Sequence, residues 1–85
     1  MSCFVYILEC ADKSFYTGIT GNLERRVREH NQRVKSSLQL SKLPVKLVWF
    51  EKYTDRISAA KREKEIKGWK RSKKEALINS RRSEV

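Results

Sequence analysis

The hydrophobic residues of the chain fall into short blocks whose period changes along its length. Residues 3–10, Cys-Phe-Val-Tyr-Ile-Leu-Glu-Cys, are apolar at odd and even positions alike, the pattern of a strand covered on both faces in the middle of a sheet. After Ala11-Asp12-Lys13-Ser14, residues 15–20 read Phe-Tyr-Thr-Gly-Ile-Thr. They are aromatic and β-branched, so the two blocks predict a hairpin. Gly21 breaks the second strand, and Asn22 can cap a helix running to about Val34, because its side chain accepts from the unpaired N–H groups of a first turn. Leu23, Val27 and Val34 form the apolar stripe of that helix. Residues 35–44 show no period and read as a loop. Pro44 then opens a third strand over Val45–Tyr53. Thr54 or Asp55 can cap a second helix from about Arg56 to Lys67, which Gly68 ends. Ser72 and Glu75 have the spacing of a capping box, which predicts a third helix from about Lys73 to Ser80 and a frayed tail from Arg81. The order ββαβαα predicts one small α+β domain over residues 1–80.

Charge narrows the range of partners. The 85 residues include 20 Lys+Arg against 10 Asp+Glu, a formal net charge of +10. An excess of this size on a small domain is what a nucleic-acid binder carries, since each phosphate contacted by Lys or Arg releases condensed counterions. A membrane surface would favour one basic amphipathic helix, whereas here the cations are spread over 25–35 and 61–74. Charge does not separate a binder from an enzyme. No apolar run approaches the ~18 residues of a membrane span, and no cationic leader precedes an apolar stretch, so a cytoplasmic protein is expected.

Cys3 and Cys10 would lie some 23 Å apart on an extended strand, at ~3.3 Å per residue, and on opposite faces. They cannot bridge each other. With a lone histidine, His30, they cannot build a Cys/His zinc cluster either, and both are expected as buried apolar groups.

Some residues stand where packing alone would not put them. On the second helix Ala59, Ala60 and Ile66 define the inward side, and at 100° per residue Glu63 projects from it too, while Glu65 faces away. An inward carboxylate needs a cation, either a neighbouring Arg or Lys or a hard divalent metal. On the first helix Arg26 and His30 are four apart and share a face next to the Leu23/Val27 stripe. Tyr6 and Tyr16 fall on the two neighbouring strands. Each has an ordinary structural explanation, but together a phenol, a guanidinium, an imidazole and a carboxylate supply a proton acceptor, a phosphate clamp and a metal site for phosphodiester hydrolysis.

On these residues the sequence resembles the GIY-YIG nuclease domain, in particular its small stand-alone proteins. The first signature element corresponds to Phe4-Val5-Tyr6 and the second to Tyr16-Thr17-Gly18, the tyrosines ten positions apart. The arginine and histidine of the family pattern fall on Arg26 and His30, its metal-binding glutamate on Glu63 and a late asparagine on Asn79. The resemblance spans essentially the whole chain. It implies a three-stranded, mainly antiparallel sheet flanked by helices and a Mg²⁺- or Mn²⁺-dependent cut in DNA. Glu63 would hold the metal, Arg26 would neutralise charge on the scissile phosphate, and Tyr6 or Tyr16, helped by His30 or by metal-bound hydroxide, would take the proton of the attacking water. Gly18 would let the backbone approach the substrate, or else serve tight packing.

The sequence departs from the family pattern in three places. Phe4 and Val5 replace the named Gly-Ile, Leu38 and Gln39 stand where many small relatives carry Tyr and then Thr, and Lys13 replaces the glycine usual in the hairpin turn. A two-residue turn at Asp12-Lys13 would send the two tyrosines to opposite faces. Their convergence therefore requires an odd loop or a bulge, with Lys13 near the left-handed region.

The expected phosphate contacts are Arg25, Arg28, Arg33, Lys61, Lys64, Lys67, Lys70 and Arg71. Six such contacts on duplex DNA would give a log–log salt slope of about −5, at ~0.9 per contact. Trp69 is expected to pack the helix junction. The alternatives to a nuclease are a nucleic-acid-binding protein that keeps the fold without cleavage, and an interaction adaptor. A protein partner that supplies target specificity is expected, and the chain is expected as a monomer or weak dimer.

Overall fold

The computed structural model describes residues 2–33 and 38–82, apart from the side chains of 81 and 82. Strands β1 (Cys3–Glu9), β2 (Phe15–Thr20) and β3 (Lys46–Tyr53) form one antiparallel sheet in the order β2-β1-β3. The block that is apolar on both faces is thus the central strand. Helices α1 (Leu23–Asn31), α2 (Arg56–Lys67) and α3 (Arg71–Arg82) complete the ββαβαα order, with a 3₁₀ turn at Leu40–Lys42 inside the expected loop.

β1 separates two apolar clusters. Its odd-numbered residues Cys3, Val5 and Ile7 pack with Trp49, with Ala59 and Ile66 of α2, and with Ile78 of α3. Tyr6, Leu8 and the following Cys10 pack with Val45, Tyr16, Phe50 and Leu23 and Val27 of α1. One face of the sheet therefore carries α2 and α3, and the other carries α1. Cys3 and Cys10 are both buried and free, one in each cluster.

The hairpin resolves the parity problem by an odd loop. Glu9 pairs with Phe15, Leu8 with Tyr16 and Tyr6 with Gly18, so five residues, 10–14, connect the strands and both tyrosines fall on the α1 face. Lys13 has φ 72°, the left-handed conformation that the missing glycine would have adopted freely. The loop is tied down by the Lys42 ammonium, 2.8 Å from Asp12 and 3.0 Å from Ser14 Oγ, and by the Ala11 N–H donating to the Lys42 carbonyl at 2.9 Å. On the other side of β1, Ile7 pairs with Trp49 and Leu8 with Leu47, which leaves Val48 as a bulge.

Several boundaries differ from the expected ones. α1 stops at Asn31: Gln32 leaves helical geometry, Arg33 has φ 60°, and Val34 lies outside the described residues. β3 starts one residue late because both backbone hydrogen-bonding groups of Val45 are taken by Asn31. α3 begins at Arg71, not Lys73, since the Lys70 carbonyl already accepts from Lys73 and Lys74; Ser72 is inside the helix, which continues through Arg82. α2 has the expected bounds, with Asp55 accepting from the Ser58 N–H at 2.7 Å.

Candidate active site

β1, β2 and α1 bring Tyr6, Tyr16, Arg26 and His30 together. Asn22 starts α1 by accepting from the Arg25 N–H at 3.0 Å, and Leu23 and Val27 seat the helix on the tyrosine face. The spacing of four then lays Arg26 and His30 along it. His30 is completely buried, and its Nε2 lies 3.2 Å from the Tyr6 hydroxyl. Tyr16 meets the His30 ring edge to face, with centroids 5.1 Å apart, and the Tyr6 ring at 6.3 Å.

The electrostatics follow from this burial. Burial, and secondarily the neighbouring Tyr16, pushes the Tyr6 phenol up to about 12, against a hydrogen bond from Arg26 that favours its ionised form. The charge of Glu63 adds to the upward shift. Burial and then the Arg26 charge hold His30 below the ordinary histidine value, so the imidazole is neutral near pH 7. Burial works against the charge on Arg26, but hydrogen bonds to Glu29, at 3.2 Å, and to Tyr6 outweigh it and keep the guanidinium charged. With Arg26 leaving about 23% of its side chain open and Tyr16 half-buried, these two line the mouth, while Tyr6 and His30 form the floor.

Of the roles left open for Gly18, tight packing has direct geometric support. A Cβ placed there would stand 2.6 Å from the Tyr6 hydroxyl oxygen and 3.2 Å from Tyr16 Cε1. The space beside this glycine is filled by the phenols, so its function is to let Tyr6 lie across the strand.

Glu63 comes from the helix on the opposite face of the sheet. It is flanked by the packed Ala59 and Ile66, as the helical period predicts, and keeps about 21% of its side chain exposed. Its carboxylate pairs with Lys67 at 3.3 Å, and its charge is felt at Tyr6. Its helix packs on the sheet face opposite the phenols, while its charge still bears on Tyr6. Glu65 turns outward to Arg62. Among the described residues no three His, Cys, Asp or Glu side chains gather into a metal site. A single accessible carboxylate fits an ion that keeps most of its waters and shares a substrate phosphate, as Mg²⁺ does.

Asn79 is not brought to this site. It is an exposed residue of α3, and it lines a cavity of about 120 Å³ with Glu9, Phe15, Val48, Glu75 and Ile78 on the α2/α3 face. The helical period fixes Asn79 relative to Ile78 but not which sheet face α3 covers.

The basic residues are likewise divided. Arg25, Arg28 and Arg33 are exposed on and just after α1, and Lys61, Lys64 and Lys67 on α2. Lys70 is exposed at the start of α3, and Arg71 is engaged within the protein: it stacks 4.3 Å over the Phe15 ring and donates to the Lys13 carbonyl. Trp69 packs against the core with Arg62 and Lys73 over its ring, the junction role expected of it. Leu38 packs against the tyrosine-side cluster. Sequence reasoning missed Glu29, the partner of Arg26, although its spacing of three was visible. It also missed Asn31, whose partner lies fourteen residues away.

The fold and the clustered signature residues define a protein of nuclease type: the chain belongs to the GIY-YIG family, whose catalytic-domain model matches residues 2–76. It is 49% identical over 74 residues to a UPF0213 protein of Haloquadratum walsbyi, covering 87% of this chain and 83% of that one. It is 44% identical over 78 residues to a UPF0213 protein of Clostridium perfringens, covering 92% and 84%. Among solved structures it is similar to the solution NMR structure of a UPF0213 protein from Bacillus halodurans (TM-score 0.61, 35% identity, 93% of this chain and 84% of that one). A second solution NMR structure, of a protein from E. faecalis, matches with TM-score 0.67 at 36% identity over 100% and 91% of the two chains. No helix among the described residues is long and apolar enough to cross a membrane.

Proposed function

We propose that the chain is a divalent-metal-dependent DNA endonuclease that hydrolyses phosphodiester bonds by nicking or structure-directed cleavage. The observation that carries this reading is the contact between the Tyr6 hydroxyl and Nε2 of a fully buried, neutral His30, beside a charged Arg26. Packing alone gives no reason to bury an imidazole against a phenol and a guanidinium.

Arg26, at the mouth, takes the scissile phosphate and offsets the charge that develops on it. A phenol near 12 is almost entirely protonated at pH 7, so Tyr6 works as a relay. It accepts the proton of the attacking water on its oxygen while passing its own proton to His30 Nε2, and the resulting hydroxide displaces the sugar oxygen at phosphorus. This direction requires the neutral imidazole to carry its hydrogen on Nδ1. Glu63 would hold Mg²⁺ or Mn²⁺, which, when bound, supplies Lewis-acid stabilisation to a phosphate oxygen. The basic residues of α1 and α2 track the DNA backbone, and a protein partner supplies target choice.

A second reading, nucleic-acid binding without cleavage, is favoured by one observation. Tyr6 leaves only 1% of its surface open, so water reaches its oxygen only if the mouth rearranges. The test is incubation of wild type and Glu63→Ala with supercoiled plasmid and branched DNA in Mg²⁺, Mn²⁺ or EDTA. Nicking abolished by both the substitution and the chelator supports the enzyme. Equal DNA retention by both proteins with no cleavage establishes the binder.

A further inference from the structure

His30 sits one residue from the end of α1, where a helix ordinarily frays. Nine residues are too few for a stable helix in isolation, so the imidazole stays where it is only if the last turn is anchored from outside. Leu23 and Val27 pack the first part of α1 against the sheet. At the other end, the Asn31 side chain makes two bonds to one residue: its Nδ2 donates to the Val45 carbonyl at 3.1 Å, and its Oδ1 accepts from the Val45 N–H at 2.7 Å. This is the pairing a neighbouring strand would provide, given to the residue immediately before β3. Val45 is itself fixed, with its side chain buried in the same cluster as Tyr6, Leu8 and Cys10. The chain from Asn31 through Val45 to that cluster therefore closes a short mechanical loop around the His30–Tyr6 contact.

We propose that Asn31 is a positioning residue: its amide locks the last turn of α1 onto the backbone of Val45 and thereby sets the His30 imidazole against the Tyr6 hydroxyl. Both of these Asn31 side-chain bonds go to the Val45 backbone and neither goes to a ring. Asn31 acts by holding the helix end that carries one ring to the strand entrance beside the other. The consequence for catalysis rests on the nuclease reading; the consequence for His30 does not.

The chain has one histidine, so its ring resonances are unambiguous, and NMR can follow its titration in wild type, Asn31→Ala and Asp55→Ala. Asp55→Ala removes the cap of α2 on the other side of the sheet and controls for lost stability alone. The groups facing His30 include Tyr6, Tyr16, Arg26 and Glu29. In Asn31→Ala the His30 midpoint rises toward the ordinary value as the ring becomes hydrated, and in Asp55→Ala it stays at the wild-type position. If wild type nicks DNA, Asn31→Ala lowers that rate by roughly 10²-fold, the scale of a misplaced catalytic group, with unchanged DNA retention. A folded Asn31→Ala whose His30 titrates as in wild type overturns the proposal. So does an equal His30 shift in Asp55→Ala. Should Asn31→Ala not fold, Asn31→Gln, which keeps the amide but displaces it by one methylene from the Val45 backbone, is judged by the same outcomes. A His30 shift without any nicking by wild type upholds the positioning role and removes the nuclease reading instead.

Discussion

The Tyr6 hydroxyl occupies the space that a side chain on Gly18 would need, 2.6 Å from where its Cβ would stand. The two residues are direct partners across β1 and β2, and Tyr6 is buried, held by His30 and Arg26. The phenol therefore has no free direction in which to retreat. Gly18→Ala is expected to destabilise the protein by about 1–3 kcal/mol, the usual cost of overpacking a closed site. In urea titration the midpoint should fall with the m-value unchanged. A variant as stable as wild type, with an undisturbed His30 resonance, would contradict this account of the glycine.

His30 gives the protein a pH dependence of definite sign. Its folded value lies below the ordinary 6.5, so between the two values the unfolded chain binds more protons than the folded one. Stability then rises with pH through that window, is complete above about 6.5, and is lost as pH falls below it. Tyr6, Tyr16, Arg26 and Glu29 lie around the ring. His30→Gln should therefore flatten the acid side of the urea midpoint–pH profile just below 6.5. Parallel profiles for the two proteins would show that the imidazole is not desolvated as described.

Arg28 and Arg71 are both exposed, but only Arg28 is expected to meet DNA. Arg71 already stacks on Phe15 and bonds to the hairpin loop, with Glu75 at 3.5 Å as a further partner. Arg28→Ala should lower the magnitude of the salt slope of DNA binding by about 0.9. Arg71→Ala should leave that slope alone and lower the thermal midpoint. The reverse assignment would place the nucleic-acid track on the α3 side.

The Lys67 ammonium stands 3.3 Å from Glu63, where it competes with any cation that carboxylate would hold. Lys67→Met should tighten Mn²⁺ binding, read by water proton relaxation without DNA. The pair is partly solvent-exposed and worth at most ~1 kcal/mol, so the gain should not exceed about fivefold. Weaker Mn²⁺ binding would mean that Glu63 is not the metal ligand.

Much of the secondary structure, and the placing of Arg26 and His30 together on one helix, were legible in the sequence. The two apolar blocks of the hairpin, the Asn22 and Asp55 caps and the 3.6-residue period depend on near neighbours, and near neighbours are what a sequence displays. Those features led to β1 as the central strand, to α2 with its observed bounds, and to Arg26 and His30 side by side on α1. Tertiary structure decided everything that required knowing a face. A strand alternates with period two, so one residue more or less in the 10–14 loop would have put Tyr6 and Tyr16 on opposite sides of the sheet. A helix displays its apolar stripe but not which side of the sheet covers it. For that reason the sequence could not show that α2 and α3 lie across from α1, placing Glu63 on the helix of the other sheet face and leaving Asn79 apart. The Asn31–Val45 bond is the same case at the level of one side chain: an amide matches any backbone, and only the folded chain selects which.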